Sequence, residues 1–273
     1  MEIRSILVNV DLDAANSTSL RYAIDLAQSL DAQLIGVAAD QPALLYGAGD
    51  GGAAAAEYYA METAQVETQL KRAEEAFRGI VPSGLKHQWQ AFVTTPVAAI
   101  VEVARVADLI VATPTTTTTS RQTVAVDLGE IVLRAGRPVL DVATYQSKVK
   151  LDKVMIAWKD SREARRAVAD ALPLLRRADQ VTALTISEDD YTAERNSMDD
   201  LIKWLGSHGV TAQGDVVSNP ERSADIIETT AIAQGVDLVV SGGYGHSRMR
   251  EWLFGGVTRN LLAANKLNRF FSN

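Results

Sequence analysis

The sequence predicts an α/β protein in which strands alternate with helices, the order that produces parallel sheets with right-handed crossovers. Three observations carry this. Short β-branched runs without helical period alternate with amphipathic stretches. The order of these segments is repeated in the second half: Asp108 and Asp237 open matching apolar runs 129 residues apart, and Val126 and Gly255 are separated by the same distance. Finally, 273 residues exceed a typical domain of ~100–150, so two domains with separate cores are expected, at 1–146 and 151–273. The polar stretch Thr144 to Lys150 marks the boundary.

The first half opens with the strand Ile6 to Val10, which ends in the acidic turn Asp11-Leu12-Asp13. Asn16 and Ser17 are good N-cap types for a helix with Leu20, Ala23, Ile24, Ala27 and Leu30 on its apolar face. Gln33 to Val37 is the second strand. Ala53 to Arg78 is a long helix-forming stretch with a solvated face at Glu67, Lys71, Glu74 and Glu75. Leu85 to Val93 alternates as a half-exposed edge strand does, which makes His87 structural rather than a ligand. Pro96 opens the next helix, and Asp108 to Ala112 is a buried strand. The threonine run from Thr113 to Thr119 follows, without glycines. A helix from Gly129 and a short edge strand, Val139-Leu140, close the half.

The second half runs through Val154 to Trp158, a turn at Lys159-Asp160-Ser161, and a helix that Pro173 should end or kink. Val181 to Ile186 is its second strand, Met198 to Leu205 a helix, and Val210 to Val217 the edge strand. Pro220 begins another helix, leading to the strand at Asp237. The last segment, Lys266-Leu267-Asn268-Arg269-Phe270-Phe271, lacks the apolar character of Val139-Leu140, so a short or missing final strand is expected here.

Composition narrows the function classes. A net charge of −7 argues against nucleic acid as a partner, so any anion site must be locally basic. Without cysteine there is no disulfide, thiolate nucleophile or cysteine-bound metal. His87, His208 and His246 are scattered and show no paired-ligand spacing. No apolar run is long enough for a membrane span, and Met1 to Arg4 leads straight into a strand, so a cytoplasmic location without membrane contact is expected.

The stretch from Asp237 to Thr258 carries most of the functional information. A buried strand runs into Ser241-Gly242-Gly243-Tyr244-Gly245, and a second glycine pair, Gly255-Gly256, precedes Val257, Thr258, Leu261 and Leu262 in helical spacing. Glycines let backbone N–H groups approach a ligand, and a helix starting at Gly255 or Gly256 would aim its positive end at the same point, which suits a phosphate. His246, Ser247, Arg248 and Arg250 add donors and positive charge. Read alone, the same glycines serve equally well to end a strand and start a helix.

Gly242, two residues, Gly245, nine residues and Gly255 is a spacing that resembles the nucleotide-binding branch of the universal stress protein family. The resemblance covers nearly the whole chain. It implies two tandem Rossmann-like domains with five-stranded parallel sheets, packed as an internal pseudo-dimer with the last strands at the seam. It also implies a stress-response protein that binds ATP, with Mg²⁺ arriving on the nucleotide. Carried over residue by residue, the phosphate site comprises Gly242, Gly245, His246, Ser247, Arg248, Gly255, Gly256, Val257 and Thr258. The adenosine side falls on Trp158, Lys159, Asp160, Ser161 and Ile186. Two positions depart from the pattern: Gly256 stands where a hydroxyl residue is usual, and Lys159 where an acid is usual. In the first half Asp11 is kept but the glycine loop is absent, so nucleotide is expected only in the second. A homodimer and a protein partner are further expectations.

Three enzyme readings fit poorly. A pyrophosphatase loop would need Asp and Ser at Gly245 and His246. A nucleophile elbow needs glycine at Met249 and a strand ending directly at Ser247. A dinucleotide fingerprint belongs after the first strand, where Asp11-Leu12-Asp13 stands. Binding rather than turnover is therefore expected, with any ATP hydrolysis slow. The competing class is a dimerisation or protein-interaction scaffold without nucleotide.

Overall fold

The computed structural model describes residues 2–12, 17–43, 52–114, 116–118, 123–143, 146–187, 191–218, 223–243 and 267–273. Ten strands form one sheet. In the first half these are β1 (Ser5–Asn9), β2 (Gln33–Asp40), β3 (His87–Val93), β4 (Leu109–Val111) and β7 (Val139–Asp141). In the second they are β8 (Lys153–Ala157), β9 (Gln180–Ser187), β10 (Ala212–Ser218), β11 (Leu238–Gly242) and β12 (Asn268–Ser272). The order is β10-β9-β8-β11-β12-β7-β4-β1-β2-β3, so each half repeats the other about its centre. Within this sheet all pairings inside a half are parallel, whereas β7 and β12 pair antiparallel.

Local chemistry fixes the element ends. Ser17, Thr95, Asp127 and Ser161 accept backbone amides as N-caps of α1 (Thr18–Leu30), α3 (Pro96–Val103), α4 (Leu128–Arg134) and α5 (Arg162–Leu175). The remaining helices are α2 (Gly52–Ile80), α6 (Tyr191–Ser207) and α7 (Ser223–Gln234). Pro173 lies inside α5, which continues to Leu175 rather than stopping at it. The two aspartates that reveal the repeat do the same work. Asp108 Oδ2 accepts from the amides of Arg4 and Ser5 at 2.9 and 3.0 Å, and Asp237 Oδ2 accepts from that of Lys153 at 2.9 Å. Each ties the start of one strand to the start of its neighbour.

The core divides differently from the expectation of one core per half. One continuous cluster lies on the sheet face covered by α1, α2, α5 and α6, and another on the face covered by α3, α4 and α7. Both cross the seam, through Leu140 and Phe270 on the first face and Val139 and Phe271 on the second.

The final strand corrects the sequence reading. β12 is five residues long and buried, and pairs with β11 along its whole length. Its polar residues are buried rather than turned to water. Asn268 accepts from the amide of Ala143 at 2.9 Å and donates to Gln146 Oε1 and the carbonyl of Asp237 at 2.8 and 2.9 Å. Arg269 stands in register opposite Asp141, and both are buried. β7 is correspondingly an internal strand, not an edge. At the true edge, β3, Phe92 packs on a core and Val93 is exposed, so the expected alternation fails at that end. The threonine run that follows β4 forms a small antiparallel ribbon of β5 (Thr116–Thr118) and β6 (Thr123–Ala125), which the sequence reading treated only as a loop.

Candidate functional site

In the order β9-β8-β11-β12, the chain leaves β8 toward β9 and leaves β11 toward β12. The carboxyl ends of β8 and β11 thus form a topological switch point, where open α/β sheets leave a crevice for ligands. The described residues at that crevice are Trp158-Lys159-Asp160-Ser161 after β8, Ile186 and Ser187 at the end of β9, and Gly242-Gly243 at the end of β11. Tyr244 to Lys266 lie outside the described residues, and with them Gly245, His246, Ser247, Arg248, Gly255, Gly256, Val257 and Thr258.

Several of these groups already have intramolecular partners. Trp158 is 7% exposed and its Nε1 donates to Ser197 Oγ on α6 at 2.8 Å. Its amide donates to the Leu184 carbonyl at 2.9 Å, and its carbonyl accepts from Thr185 Oγ1 at the same distance. The indole is therefore a fixed packing element. Ser161 Oγ is engaged by the amide of Ala164 at 3.2 Å as the cap of α5. Ile186 and Ser187 are buried in β9. Lys159 and Asp160 are exposed, with Asp160 on Arg165 at 2.7 Å.

The two glycines have packing reasons of their own. A Cβ on Gly242 would lie 2.6 Å from the amide nitrogen of Ala164 and 2.8 Å from the carbonyl carbon of Glu163, so α5 enters directly against the strand. A Cβ on Gly243 would lie 2.7 Å from Val132 Cγ1, on α4 of the first half. The Gly243 amide donates to the Ser272 carbonyl at 2.7 Å. Ser272 Oγ in turn reaches Asp170 on α5 at 2.6 Å, and Arg166 donates to the carbonyl of Gly136 in the first half at 3.5 Å. The switch-point end of the second half is thus walled on one side by the first. Beside Gly242, the Oγ of Ser241 is buried without a hydrogen-bond partner. In the first turn of α5, the backbone amide of Glu163 holds its own carboxyl below the usual carboxylate range. Burial opposes this shift and Arg162 reinforces it.

A groove of about 440 Å³ lies between α5 and α6, lined by Trp158, Asp160, Arg165, Val168, Ser197, Asp200, Leu201 and Trp204. Two of these, Trp158 and Asp160, were singled out in the sequence. The α6 residues were not, because nothing in a helical pattern distinguishes a groove wall from a solvated face. Among the described residues no cluster of three His, Asp or Glu could hold a metal, and no helix is long and apolar enough to cross a membrane.

No family model matches the chain, and no curated protein does. Solved structures do match over its full length. A universal stress protein from Archaeoglobus fulgidus aligns at a TM-score of 0.65 with 15% identity, covering 100% of this chain and 97% of the other. A putative universal stress protein from Pseudomonas aeruginosa aligns at 0.55 with 16% identity, covering 99% and 93%. A protein of unknown function from the same species aligns at 0.53 with 17% identity, covering 99% and 92%. The fold, two α/β halves joined into one mostly parallel sheet, is that of these proteins.

Proposed function

We propose that the chain is a tandem universal stress protein whose second half binds an adenine nucleotide, ATP with Mg²⁺, as a stress-response regulator or sensor rather than a fast enzyme. The observation that carries this reading is positional: the glycine spacing Gly242, Gly245, Gly255 begins where β11 meets β8 at the switch point. The fold shared with universal stress proteins supports it. In this reading Gly245, Gly255 and Gly256 offer backbone amides to phosphate, Arg248 offsets its charge, and Asp160 meets the ribose. Mg²⁺ would supply charge neutralisation on the phosphates when bound.

Isothermal titration with ATP and Mg²⁺, preceded by nucleotide extraction from the purified protein, tests the proposal. Saturable binding that is lost in Gly245→Val supports it. If neither wild-type measurement detects nucleotide, the proposal fails. A second reading, an interaction scaffold without nucleotide, is favoured by the packing roles of Gly242 and Gly243 and by the prior commitments of Trp158 and Ser161. A homodimer would need a surface other than the seam, since β7 and β12 already satisfy one another.

A further inference from the structure

The ten-stranded sheet ends in β3 on one side and β10 on the other, and β3 is the unguarded edge. Its seven residues include no Lys, Arg, Asp, Glu, Gly or Pro, the residues that keep an edge from pairing, and Val93 at its end is 41% exposed. β10 carries Gly214 and Asp215. The Leu34 amide donates to the Lys86 carbonyl at 2.9 Å, which sets the phase of the β2–β3 ladder so that the even-numbered residues of β3 bond inward. The amides and carbonyls of His87, Trp89, Ala91 and Val93 therefore point away from β2, to a side where no further strand lies among the described residues.

We propose that this edge, with the flank of α2 above it, is the interface with a second copy of this chain, joined antiparallel about a two-fold axis at Gln90 so that two sheets become one. The backbone suits an identical partner. About that axis His87 meets the partner's Val93 and Trp89 meets the partner's Ala91, so the outward groups of each strand satisfy those of the other. The same operation centred on β10 would set Asp215 against its own copy.

The helix above the edge has the matching spacing. Phe77 of α2 lies against Gly36 of β2 and stacks on Trp89 of β3 at 5.1 Å between centroids, so α2 runs above the gap between these strands. With strands about 4.8 Å apart, two such helices facing each other across the shared edge have axes about 10 Å apart, a distance at which helices pack.

Charge order fits as well. In a right-handed crossover, the residues directly after the buried stripe Val66, Leu70, Ala73 and Phe77 face the open edge. They are Glu67, Lys71, Glu74 and Arg78, alternating in sign. An antiparallel copy presents the reverse order, so Glu67 meets the partner's Arg78 and Lys71 meets the partner's Glu74. Glu74 and Arg78 already pair within the helix at 2.8 Å; that exposed contact is weak, and the partner's Lys71 and Glu67 extend it rather than compete with it. The midpoint of the four charges lies about 7 Å before Phe77 along the helix. That is about two strand residues beyond Trp89, within one residue of Gln90. One axis thus serves both the strands and the charges.

Sedimentation equilibrium of the full chain at micromolar concentration should give twice 29.4 kDa. Ala91→Pro removes an outward amide while sparing the ladder to β2, and should weaken dimerisation by about tenfold or more with circular dichroism unchanged. Lys71→Glu with Arg78→Glu makes the stripe wholly acidic, and Glu67→Lys with Glu74→Lys makes it wholly basic. Each double variant alone should be monomeric, and an equimolar mixture should dimerise. The proposal is overturned if the wild type stays at 29.4 kDa, if the double variants self-associate as wild type does, or if their mixture stays monomeric. A folded Ala91→Pro that dimerises as wild type does would also overturn it. The mixing arm decides the matter even where the proline variant fails to fold, and none of the arms depends on nucleotide.

Discussion

Gly242 and Gly243 sit next to each other but answer to different neighbours, and substitution should separate them. Gly242→Ala forces a methyl onto the backbone of α5, which cannot retract without moving the helix, so destabilisation of about 1–3 kcal/mol is expected. Gly243→Ala crowds the Val132 side chain, while the Ser272 carbonyl oxygen lies at an ordinary contact distance of 3.5 Å. Combining it with Val132→Ala should recover much of the loss, whereas the same partner change should not rescue Gly242→Ala. A double-mutant cycle from urea melts reads this directly. Ser197→Ala leaves the Trp158 N–H buried without its acceptor and should cost about 1–3 kcal/mol. For Glu163, the folded carboxyl titrates below its unfolded counterpart. Its stabilising contribution is thus present above the unfolded pKa and is lost as pH falls through the folded one. The stability gap between wild type and Glu163→Gln should be open at neutral pH and close in acid, as thermal melts across the carboxylate range would show.

At the scale of elements, β12 is where sequence patterning and structure disagree most. Asn268 and Arg269 led to the expectation of a short or missing strand because a linear pattern cannot show that a strand is shared between two halves. Their polarity is met by Ala143, Gln146 and the Asp237 carbonyl for Asn268, while Arg269 stands in register with Asp141. Phe270 and Phe271 alternate between the two faces, and truncation of either to alanine should cost about 3–5 kcal/mol in denaturant unfolding. The elements that were legible are those whose signal is local: the cap Ser17, the apolar strands, and the paired aspartates of the repeat. The β5–β6 ribbon was not legible, because a threonine run carries no turn glycine to announce it. At the candidate site, sequence identified Trp158 and Gly242 but not what occupies the space around them. Those contacts come from α4, α5 and α6, which are distant along the chain.

For the whole molecule, each core extends across both halves, and Arg177, in the turn after α5, donates to the Ser29 carbonyl of α1 at 2.7 Å. Burial and then the charges of Asp237 and Asp25 push the Tyr22 hydroxyl well above its ordinary range, although Tyr22 and Asp237 belong to different halves. Such sharing predicts one cooperative calorimetric transition for the intact chain. Residues 151–273 expressed alone should associate or fail to fold, since they would expose the β12 edge and its two phenylalanines. Two separate transitions, or a monomeric, fully folded second half, would contradict this.

The antiparallel meeting of β7 and β12 also sets a polarity. Strands of the first half terminate on one rim of the sheet and those of the second on the opposite rim. The threonine ribbon and Gly243 therefore look out from opposite sides of the protein. A change at the tip of one half is therefore remote from the corresponding tip of the other, while the two stay joined along their middle.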